Sequence, residues 1–320
     1  MSADDPLVLV TSRSFGSGRT DPATRLTTAG LQVVHGPSDH DVQALAPVLA
    51  RARAWIAGAA PIEEAHLARA PHLRLVARYG TGTDAVDLAA TDRRGVLVTN
   101  TPGANAEAVA DHTLGLLLAV LRRVTEGDRA VRAGETPRLV GRELAALTAG
   151  LVGFGAIGRA VARRLRALCV DVRVVDPAVP ASAAAAAGVQ ATDLAELVAG
   201  CDVVSLHRPG SEQPVLDAAL LAALRDDAVV INTARASLID EHALAAELRS
   251  GRLLGVGLDV VSGPRSPLHW TPRTILTPHV AGQTTEAVDR MGAATVDEVL
   301  RVLVEDVPVR HPVTLSERHG

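Results

Sequence analysis

Residues 147–158 read LTAGLVGFGAIG, a short apolar run that breaks into three glycines. Apolar residues with helical spacing follow as far as Ala167, and a second apolar run then ends in Asp176. This order predicts a buried strand, a tight glycine turn, a helix and a second parallel strand. A sheet that begins in this way predicts an α/β fold with a doubly wound parallel sheet.

The three glycines have different predicted roles in binding a dinucleotide. Gly153 permits the tight turn, Gly155 lets a pyrophosphate approach the backbone, and Gly158 lets the helix pack closely on the strand. The helix N-terminus supplies N–H donors to the phosphates. Asp176 follows Gly158 by roughly 20 residues, where a carboxylate accepts hydrogen bonds from the adenosine ribose and repels a 2′-phosphate. NAD is therefore the predicted cofactor, and a glycine-rich turn without a ligand is the alternative for the bare motif.

The composition excludes several classes of chemistry. All 32 basic residues are arginine, which rules out a Schiff-base lysine, pyridoxal phosphate attachment and a P-loop lysine. The formal net charge of −4 predicts no general attraction to nucleic acid or anionic lipid. Aromatic residues make up only 2% of the chain, so the core is predicted to consist of Ala, Val and Leu. The length of 320 residues is typical of about two domains.

The sequence predicts neither export nor membrane insertion. Asp4 and Asp5 stand where a secretory signal has basic residues, and the longest strongly apolar run, Leu114–Leu121, is far too short to span a bilayer. Cys169 and Cys201 lie apart beside apolar residues, which favours core thiols in a reducing compartment over a disulfide or a metal site. We expect a cytoplasmic protein without a bound metal.

The first hundred residues alternate between strand and helical segments, beginning with a strand at Leu7–Thr11. This alternation predicts a small parallel α/β unit. The loop RYGTGTD at 78–84 follows the strand Leu73–Ala77, at the kind of strand end where open α/β sheets bind ligands. Its glycines leave backbone N–H groups open to an anion, and Arg78 adds positive charge. A plain turn with a surface arginine is the alternative.

Polar residues also follow the later predicted strands. These strands are Asp202–Leu206 before His207, Ala228–Asn232 before Thr233, Gly255–Leu258 before Asp259, and Thr274–Thr277 before Pro278 and His279. The ends of parallel strands share one edge with the glycine turn, so the polar residues are predicted to gather around the cofactor. A long helix at Glu107–Arg123 is apolar over so much of its circumference that it is predicted to pack between domains or against a second subunit.

The chain resembles the D-isomer-specific 2-hydroxyacid dehydrogenase family, and within it the 3-phosphoglycerate dehydrogenase branch. The matching segments are TSRSFG at 11–16, ARYGTGTDAVD at 77–87, TNTPGANAEAVADH at 99–112, GFGAIG at 153–158, SLHRP at 205–209, INTARASLID at 231–240, GLDV at 257–260 and LTPHVAGQTTEA at 276–287. The resemblance implies a Rossmann cofactor domain at 99–280, inserted into a smaller flavodoxin-like substrate domain at 1–98 and 281–320. It also implies a homodimer joined through the cofactor domains.

The same resemblance implies interconversion of a D-2-hydroxy acid and a 2-oxo acid, phosphorylated or not, by hydride exchange with NAD. Arg235 matches the arginine that binds the substrate carboxylate and polarises its carbonyl, which suits a planar guanidinium. His279 matches the acid/base, and imidazole suits proton transfer near neutral pH. The residues matched to substrate contacts are Gly80, Thr81 and Gly82, with Arg78 as a further candidate. The residues matched to cofactor contacts are Gly153, Gly155, Ala156, Ile157, Gly158, Asp176, His207, Pro209, Thr233, Ala234, Arg235, Asp259, His279 and Gly282.

The chain departs from the family pattern beside the acid/base. The family places a glutamate a few residues after the GLDV strand, but Pro264 stands there, and no carboxylate lies between Asp259 and His279. A carboxylate fixes the tautomer of a neighbouring imidazole, so its absence predicts weaker proton transfer. Three interpretations stay open. They are a 2-hydroxyacid dehydrogenase in which another group or a water orients His279, a dehydrogenase of an unusual substrate, and an NAD-sensing binding protein with weak or no turnover.

Overall fold

A computed structural model describes residues 5–314 of the chain. The strands are β1 Leu7–Val10, β2 Gln32–His35, β3 Ala52–Ala57, β4 Leu75–Arg78, β5 Leu97–Thr99, β6 Thr148–Val152, β7 Asp171–Val175, β8 Gln190–Ala191, β9 Val203–Leu206, β10 Val229–Asn232, β11 Gly255–Leu258 and β12 Thr274–Leu276. The α-helices are α1 Ala23–Thr28, α2 Val42–Leu49, α3 Glu64–Leu67, α4 Leu88–Arg93, α5 Ala106–Leu121, α6 Val124–Arg132, α7 Ala156–Ala167, α8 Ala181–Ala186, α9 Leu194–Gly200, α10 Ala218–Ala223, α11 Glu241–Arg249 and α12 Thr285–Leu300. Short 3-10 helices lie at Leu144–Ala146, Ala236–Leu238 and Pro267–Trp270, and a π-helical turn lies at Arg301–Glu305.

The chain forms two compact units. The first contains residues 5–105 and 282–314, and the second is Ala106–Ala281. The cofactor domain was predicted to begin at residue 99, and the second unit begins seven residues later, at Ala106. The substrate domain was predicted to resume at residue 281, and the first unit resumes one residue later, at Gly282. Asp4, one of the two acidic residues that predict no secretory signal, lies outside the described residues.

The first unit is built on a five-stranded parallel sheet in the order β2-β1-β3-β4-β5. This is the strand order of flavodoxin-like sheets. The sequence forms such a sheet because its strands are short apolar runs, and all four side chains of β1 are buried. Helices on both faces of a parallel sheet produce this continuous burial. The flavodoxin-like part of the predicted fold is therefore confirmed.

The second unit is built on a seven-stranded parallel sheet in the order β12-β11-β10-β9-β6-β7-β8. The strand order reverses between β6 and β9, and doubly wound sheets bind dinucleotides at the carboxyl ends beside such a switch point. The last residues of six adjacent strands are paired in register, namely Val175, Val152, Leu206, Asn232, Leu258 and Leu276. The polar residues that directly follow these strands therefore lie along the same carboxyl-end edge of the sheet. The predicted Rossmann sheet is confirmed.

Aliphatic side chains fill the core on both faces of the second sheet. The layer on one face includes Leu117 of α5 and Leu165 of α7, and the layer on the other includes Leu197 of α9 and Leu244 of α11. Phe154 is the aromatic residue among the buried members of these two layers. The composition correctly predicted a core of small and branched aliphatic residues.

Helix α5 uses most of its apolar surface within its own unit. It packs against α7 and against strands β10 and β11, and nine of its side chains are buried. Among its leucines, Leu118 is 37% exposed. The apolar circumference that predicted an interface is therefore explained largely by packing on the sheet of the second unit.

One local prediction was wrong and one was incomplete. Cys201 is buried as expected, but Cys169 is exposed and has a φ of +62° in the turn after α7, so it is not a core thiol. The polar segment predicted near Asp128–Gly141 begins inside helix α6, which continues to Arg132. Helix α6 has no buried side chain, although Val124 and Val131 lie on one face of it.

Residues 5–314 contain neither a membrane-spanning helix nor a cluster of metal-binding side chains. No helix there combines the length and the apolar character needed to cross a bilayer, and no group of His, Cys, Asp and Glu side chains is arranged to hold a metal ion.

Candidate cofactor and catalytic site

The glycine turn between β6 and α7 has the geometry that a pyrophosphate requires. Gly153 has a φ of +100°, and a Cβ atom there would lie 2.4 Å from the carbonyl oxygen of His207. A Cβ atom on Gly158 would lie 2.2 Å from the carbonyl oxygen of Gly153. In contrast, within the described part of the chain and apart from the chain neighbours, no atom lies within 4 Å of the Cβ position of Gly155. Two glycines are therefore required by the fold, and the third leaves open space beside the backbone.

That open space lies at the N-terminus of α7. Gly155 is the N-cap residue and supplies no side-chain cap, so it leaves the first N–H groups of the helix available at this space. Gly155 and Ala156 are exposed, and Ile157 is partly buried. The partial positive charge of the helix N-terminus favours a phosphate at this position. The residues of the turn thus fit the pyrophosphate of a dinucleotide.

Asp176 follows β7 and ties the second strand to the glycine turn. Its Oδ2 accepts a hydrogen bond from Phe154 N at 2.7 Å, and its Oδ1 accepts one from Ala178 N at 2.9 Å. Each carboxylate oxygen has a second lone pair that can accept from a ribose hydroxyl. The carboxylate is partly exposed and carries its negative charge next to the turn. This charge disfavours a cofactor with a 2′-phosphate.

His207 and Pro209 follow β9 on the other side of the glycine turn. His207 is buried, and its Nε2 lies 2.9 Å from the hydroxyl of Ser205. Its Nδ1 has no hydrogen-bond partner among the described residues. Burial lowers the pKa of His207 to about 4, so the ring is neutral at pH 7. Pro209 is exposed. His207 therefore shapes the turn with its backbone carbonyl and an uncharged ring.

The burial of His207 makes the stability of the second unit depend on pH. The folded pKa, about 4, lies below the unfolded value of about 6.5, so the unfolded chain binds more protons between these values. We expect the free energy of unfolding to fall as the pH falls from about 6.5 to about 4, by about 3 kcal/mol in all. Urea unfolding at pH 7 and pH 5 measures it. His207→Gln should reduce this loss and the exposed control His242→Gln should not; an equal loss in wild type and His207→Gln would contradict the assignment.

The loop after β10 presents Arg235 with its backbone held by a side chain. The Asn232 side chain accepts from Ala234 N at 2.9 Å and donates to Arg235 O at 2.8 Å. Thr233 is buried and its hydroxyl lies 3.0 Å from that of Thr113. Arg235 is partly exposed, and its Nη1 donates to Ala234 O at 2.7 Å. Sequence reasoning missed Asn232, whose position at the strand end beside Arg235 was the available signal.

Asp259 and His279 follow the neighbouring strands β11 and β12. The carboxylate of Asp259 is 1% exposed and accepts from the hydroxyl of Thr277 and from the backbone N–H groups of Val280 and Ala281. His279 is exposed, has a φ of +56° and donates its N–H to Asp259 O. Asp259 was predicted to lie on the nicotinamide side. The structure places its carboxylate inside the turn that carries His279.

The predicted substrate loop of the first unit is held by its own neighbours. The carbonyl oxygen of Thr81 accepts from the side chain of Asn100 at 2.7 Å, and its hydroxyl donates to Asn105 Oδ1 at 3.1 Å. Arg78 Nη1 donates to the carbonyl oxygens of Ala57 and Tyr79. Gly80 has a φ of +135°, which favours glycine at this position. Arg78 therefore supports the backbone that enters the loop.

Two further positions complete the predicted set. Gly282 belongs to the first unit, and a Cβ atom there would lie 2.9 Å from the side-chain nitrogen of Asn105. Pro264, at the family's glutamate position, lies in an exposed turn. The buried carboxylate of Glu241 binds the same segment, accepting from the backbone N–H and the hydroxyl of Ser262 at 2.7 and 2.6 Å. The described contacts of Glu241 anchor the loop after β11.

Comparisons with known proteins agree with this geometry. Residues 114–281 match the family model described as D-isomer specific 2-hydroxyacid dehydrogenase, NAD binding domain. The chain is 38% identical over 261 residues to a D-3-phosphoglycerate dehydrogenase of Mycobacterium leprae, covering 79% of this chain and 49% of that protein. It is 41% identical over 246 residues to an (S)-sulfolactate dehydrogenase of Chromohalobacter salexigens, covering 74% and 80%. The chain thus spans about half the length of the phosphoglycerate dehydrogenases that it matches.

A solved structure extends the similarity to nearly the whole chain. The crystal structure of a protein from Thermus thermophilus has a TM-score of 0.85 and 36% identity, and the match covers 96% of this chain and all of that one. These similarities define the class as two-unit α/β proteins with an NAD-binding Rossmann unit. The chain belongs to the D-isomer specific 2-hydroxyacid dehydrogenase family, and its cofactor is NAD.

Proposed function

We propose that this chain is an oxidoreductase that interconverts a small anionic D-2-hydroxy acid and the corresponding 2-oxo acid. The observation that supports this most is the common strand edge of the second unit. Arg235 follows β10 and His279 follows β12, with β11 alone between these strands, and the glycine turn follows β6 at the same edge. A guanidinium, an imidazole and a dinucleotide turn are the groups that reduction of a 2-oxo acid requires.

The two side chains divide the work of the proposed reaction. When bound, NADH supplies the hydride to C2 of the 2-oxo acid. Arg235 binds the carboxylate and polarises the carbonyl, because its planar guanidinium offers two parallel N–H donors. His279 donates a proton to the carbonyl oxygen during reduction and accepts it back during oxidation. The residues that would hold the cofactor are those of the glycine turn, Asp176, and the strand-end residues at 207–209 and 233–235.

The proposed substrate is defined by its 2-oxo acid core. The backbone of Gly80, Thr81 and Gly82 is proposed to contact the substrate, as the family resemblance implies, and Arg78 donates to the carbonyl oxygen of Tyr79 before this loop. The two relatives described above are named for phosphoglycerate and sulfolactate, 2-hydroxy acids with a second anionic group. We therefore propose that the substrates include acids with and without a second anion.

An assay with NADH and a panel of 2-oxo acids tests this function. The panel contains glyoxylate, pyruvate, hydroxypyruvate, a phosphorylated acid and a sulfonated acid, and the absorbance of NADH is followed. Oxidation of NADH by at least one member is expected. Tight NADH binding without oxidation across the panel would sink the proposal and favour the alternative, an NAD-sensing binding protein. Pro264 at the glutamate position is the observation behind that alternative.

The role proposed for Asp176 predicts a change in cofactor choice. Asp176→Ala removes an ionised acceptor for the ribose hydroxyls, so we expect the dissociation constant of NADH to rise by about 10- to 100-fold. The affinity for NADPH should fall less or should rise, because the negative charge is gone. Fluorescence titrations with both cofactors measure this. Asp171→Ala, at the exposed start of β7, is the control. Unchanged NADH affinity in Asp176→Ala would remove Asp176 from this role.

We also propose that the protein is a cytoplasmic homodimer joined through its cofactor units. Helix α6 has no buried side chain in the single chain, and Val124 and Val131 of this helix are exposed, as is Val140 after it. Short helices in water gain most of their stability from packing of an apolar face. A second copy that covers these residues supplies such packing. Sedimentation velocity tests the dimer, and a monomeric mass at micromolar concentration would refute it.

A further inference from the structure

A chain of hydrogen bonds runs beneath the turn that carries His279. Nε2 of His112, on helix α5, lies 2.9 Å from the hydroxyl oxygen of Thr277. That hydroxyl donates to Oδ1 of Asp259 at 2.5 Å. A hydroxyl has a single hydrogen, so the Thr277 oxygen must accept from His112, and Nε2 of His112 must carry a proton. The direction of the chain is therefore from His112 through Thr277 to Asp259.

Asp259 connects this series of hydrogen bonds to the residues on both sides of His279. Its carboxylate accepts from the hydroxyl of Thr277, two residues before His279, and from the N–H groups of Val280 and Ala281, directly after it. Its backbone oxygen accepts from the N–H of His279 itself. The φ of His279 is +56°, a backbone conformation that is costly for residues other than glycine. The surrounding bonds to Asp259 hold the turn in that conformation.

The charge of Asp259 also points to His112. The carboxylate is buried, and a buried charge is costly unless it is paired and hydrogen-bonded. His112 Nε2 lies 3.6 Å from Oδ1 of Asp259, and the side chain of His112 is 25% exposed. This distance places the imidazole beside the buried carboxylate, which it reaches through the hydroxyl of Thr277. His112 thus serves Asp259 as a hydrogen-bond donor through Thr277.

We propose that His112 is a positioning residue for proton transfer by His279. It acts by holding Thr277 and Asp259, which in turn hold the left-handed turn at His279, and it does not touch the substrate. This inference rests on the proposed function, because it assigns His279 the proton transfer. It adds a residue of helix α5 to the machinery and explains why Asp259, Thr277 and His112 are hydrogen-bonded in series at the strand edge.

Two variants of His112 and one control test the role. His112→Ala removes the donor, and His112→Gln keeps an N–H donor of similar reach. We expect His112→Ala to lower kcat by about 10-fold or more while the dissociation constant of NADH changes by less than about 2-fold. His112→Gln should recover most of kcat. His242→Ala, an exposed histidine on α11, should leave kcat unchanged. Thermal melting verifies that each variant is folded.

The results decide against the proposal in distinct ways. An unchanged kcat in His112→Ala would overturn it, and a glutamine variant no better than alanine would overturn the donor role. Equal losses of kcat and NADH affinity would indicate damage to the whole unit instead of positioning.

A second measurement keeps the test independent of turnover. Nitrogen-15 NMR of the imidazole rings reports the surroundings of His279, and the signal missing in His279→Asn assigns it. We expect His112→Ala to shift this signal and His242→Ala to leave it in place. A signal of His279 that is identical in wild type and His112→Ala would refute the positioning role even if no 2-oxo acid is reduced. Absence of turnover in the wild type alone would instead refute the proposed function.

Discussion

Replacing His279 with alanine is expected to lower kcat for reduction of a 2-oxo acid by about 10²- to 10⁴-fold, because that is the usual contribution of a positioned acid/base. His279 is exposed and lies in a turn whose backbone is held by Asp259, so its removal leaves the core intact. NADH affinity should change little, since the pyrophosphate is assigned to the glycine turn. Steady-state kinetics and an NADH titration on the same variant measure both quantities.

Arg235→Lys completes this prediction for the second group. A lysine keeps the positive charge but cannot offer two parallel donors, so we expect KM for the 2-oxo acid to rise and kcat to fall. His269→Ala is the matched control for His279→Ala, because His269 is also an exposed histidine and its ring bonds to the carbonyl oxygen of Gly263. Turnover that survives both His279→Ala and Arg235→Lys unchanged would show that the catalytic groups lie elsewhere.

Substitutions of two glycines in the same turn are expected to separate folding from cofactor binding. In Gly158→Ala the new Cβ atom would lie 2.2 Å from the carbonyl oxygen of Gly153, a backbone atom that cannot move aside cheaply. We expect a loss of about 3 kcal/mol in the free energy of unfolding, typical of overpacking at the severe end. In Gly155→Ala no atom of the described residues, apart from the chain neighbours, lies within 4 Å of the new Cβ, so stability should fall by no more than about 1 kcal/mol, the preference for glycine over alanine at an N-cap.

Gly155→Ala should nevertheless weaken NADH binding by about 10- to 100-fold, because its methyl group enters the space assigned to the pyrophosphate. Urea unfolding and NADH fluorescence on both variants measure the two effects. Gly115→Ala on α5 is the control for NADH binding, because Gly115 has ordinary helical φ and open space at its Cβ position among the described residues. Gly155→Ala that binds NADH as tightly as wild type would place the pyrophosphate elsewhere.

Local sequence patterns were sufficient for the elements of the fold that position the cofactor. Buried parallel strands appear as continuous apolar runs, and their predicted bounds at Asp202–Leu206, Ala228–Asn232 and Gly255–Leu258 lie within one residue of the observed strands. The glycine turn was recognisable because Gly153 and Gly158 meet steric demands of the fold, while Gly155 leaves the space that is assigned to the pyrophosphate. Helix α6 was missed because it is short and mainly polar, with Val124 and Val131 as its large apolar residues.

The sequence by itself determined the parallel α/β class, the dinucleotide turn and the positions of Arg235 and His279 after their strands, because strand periodicity and glycine sterics act over a few residues. Only the tertiary structure decided which other side chains form hydrogen bonds around the turn that carries His279. Asp259 meets a hydroxyl 18 residues away, and His112 meets the same hydroxyl across 165 residues. Such bonds form because the sheet brings distant segments to one edge, and no local pattern encodes which side chains then lie within hydrogen-bond distance.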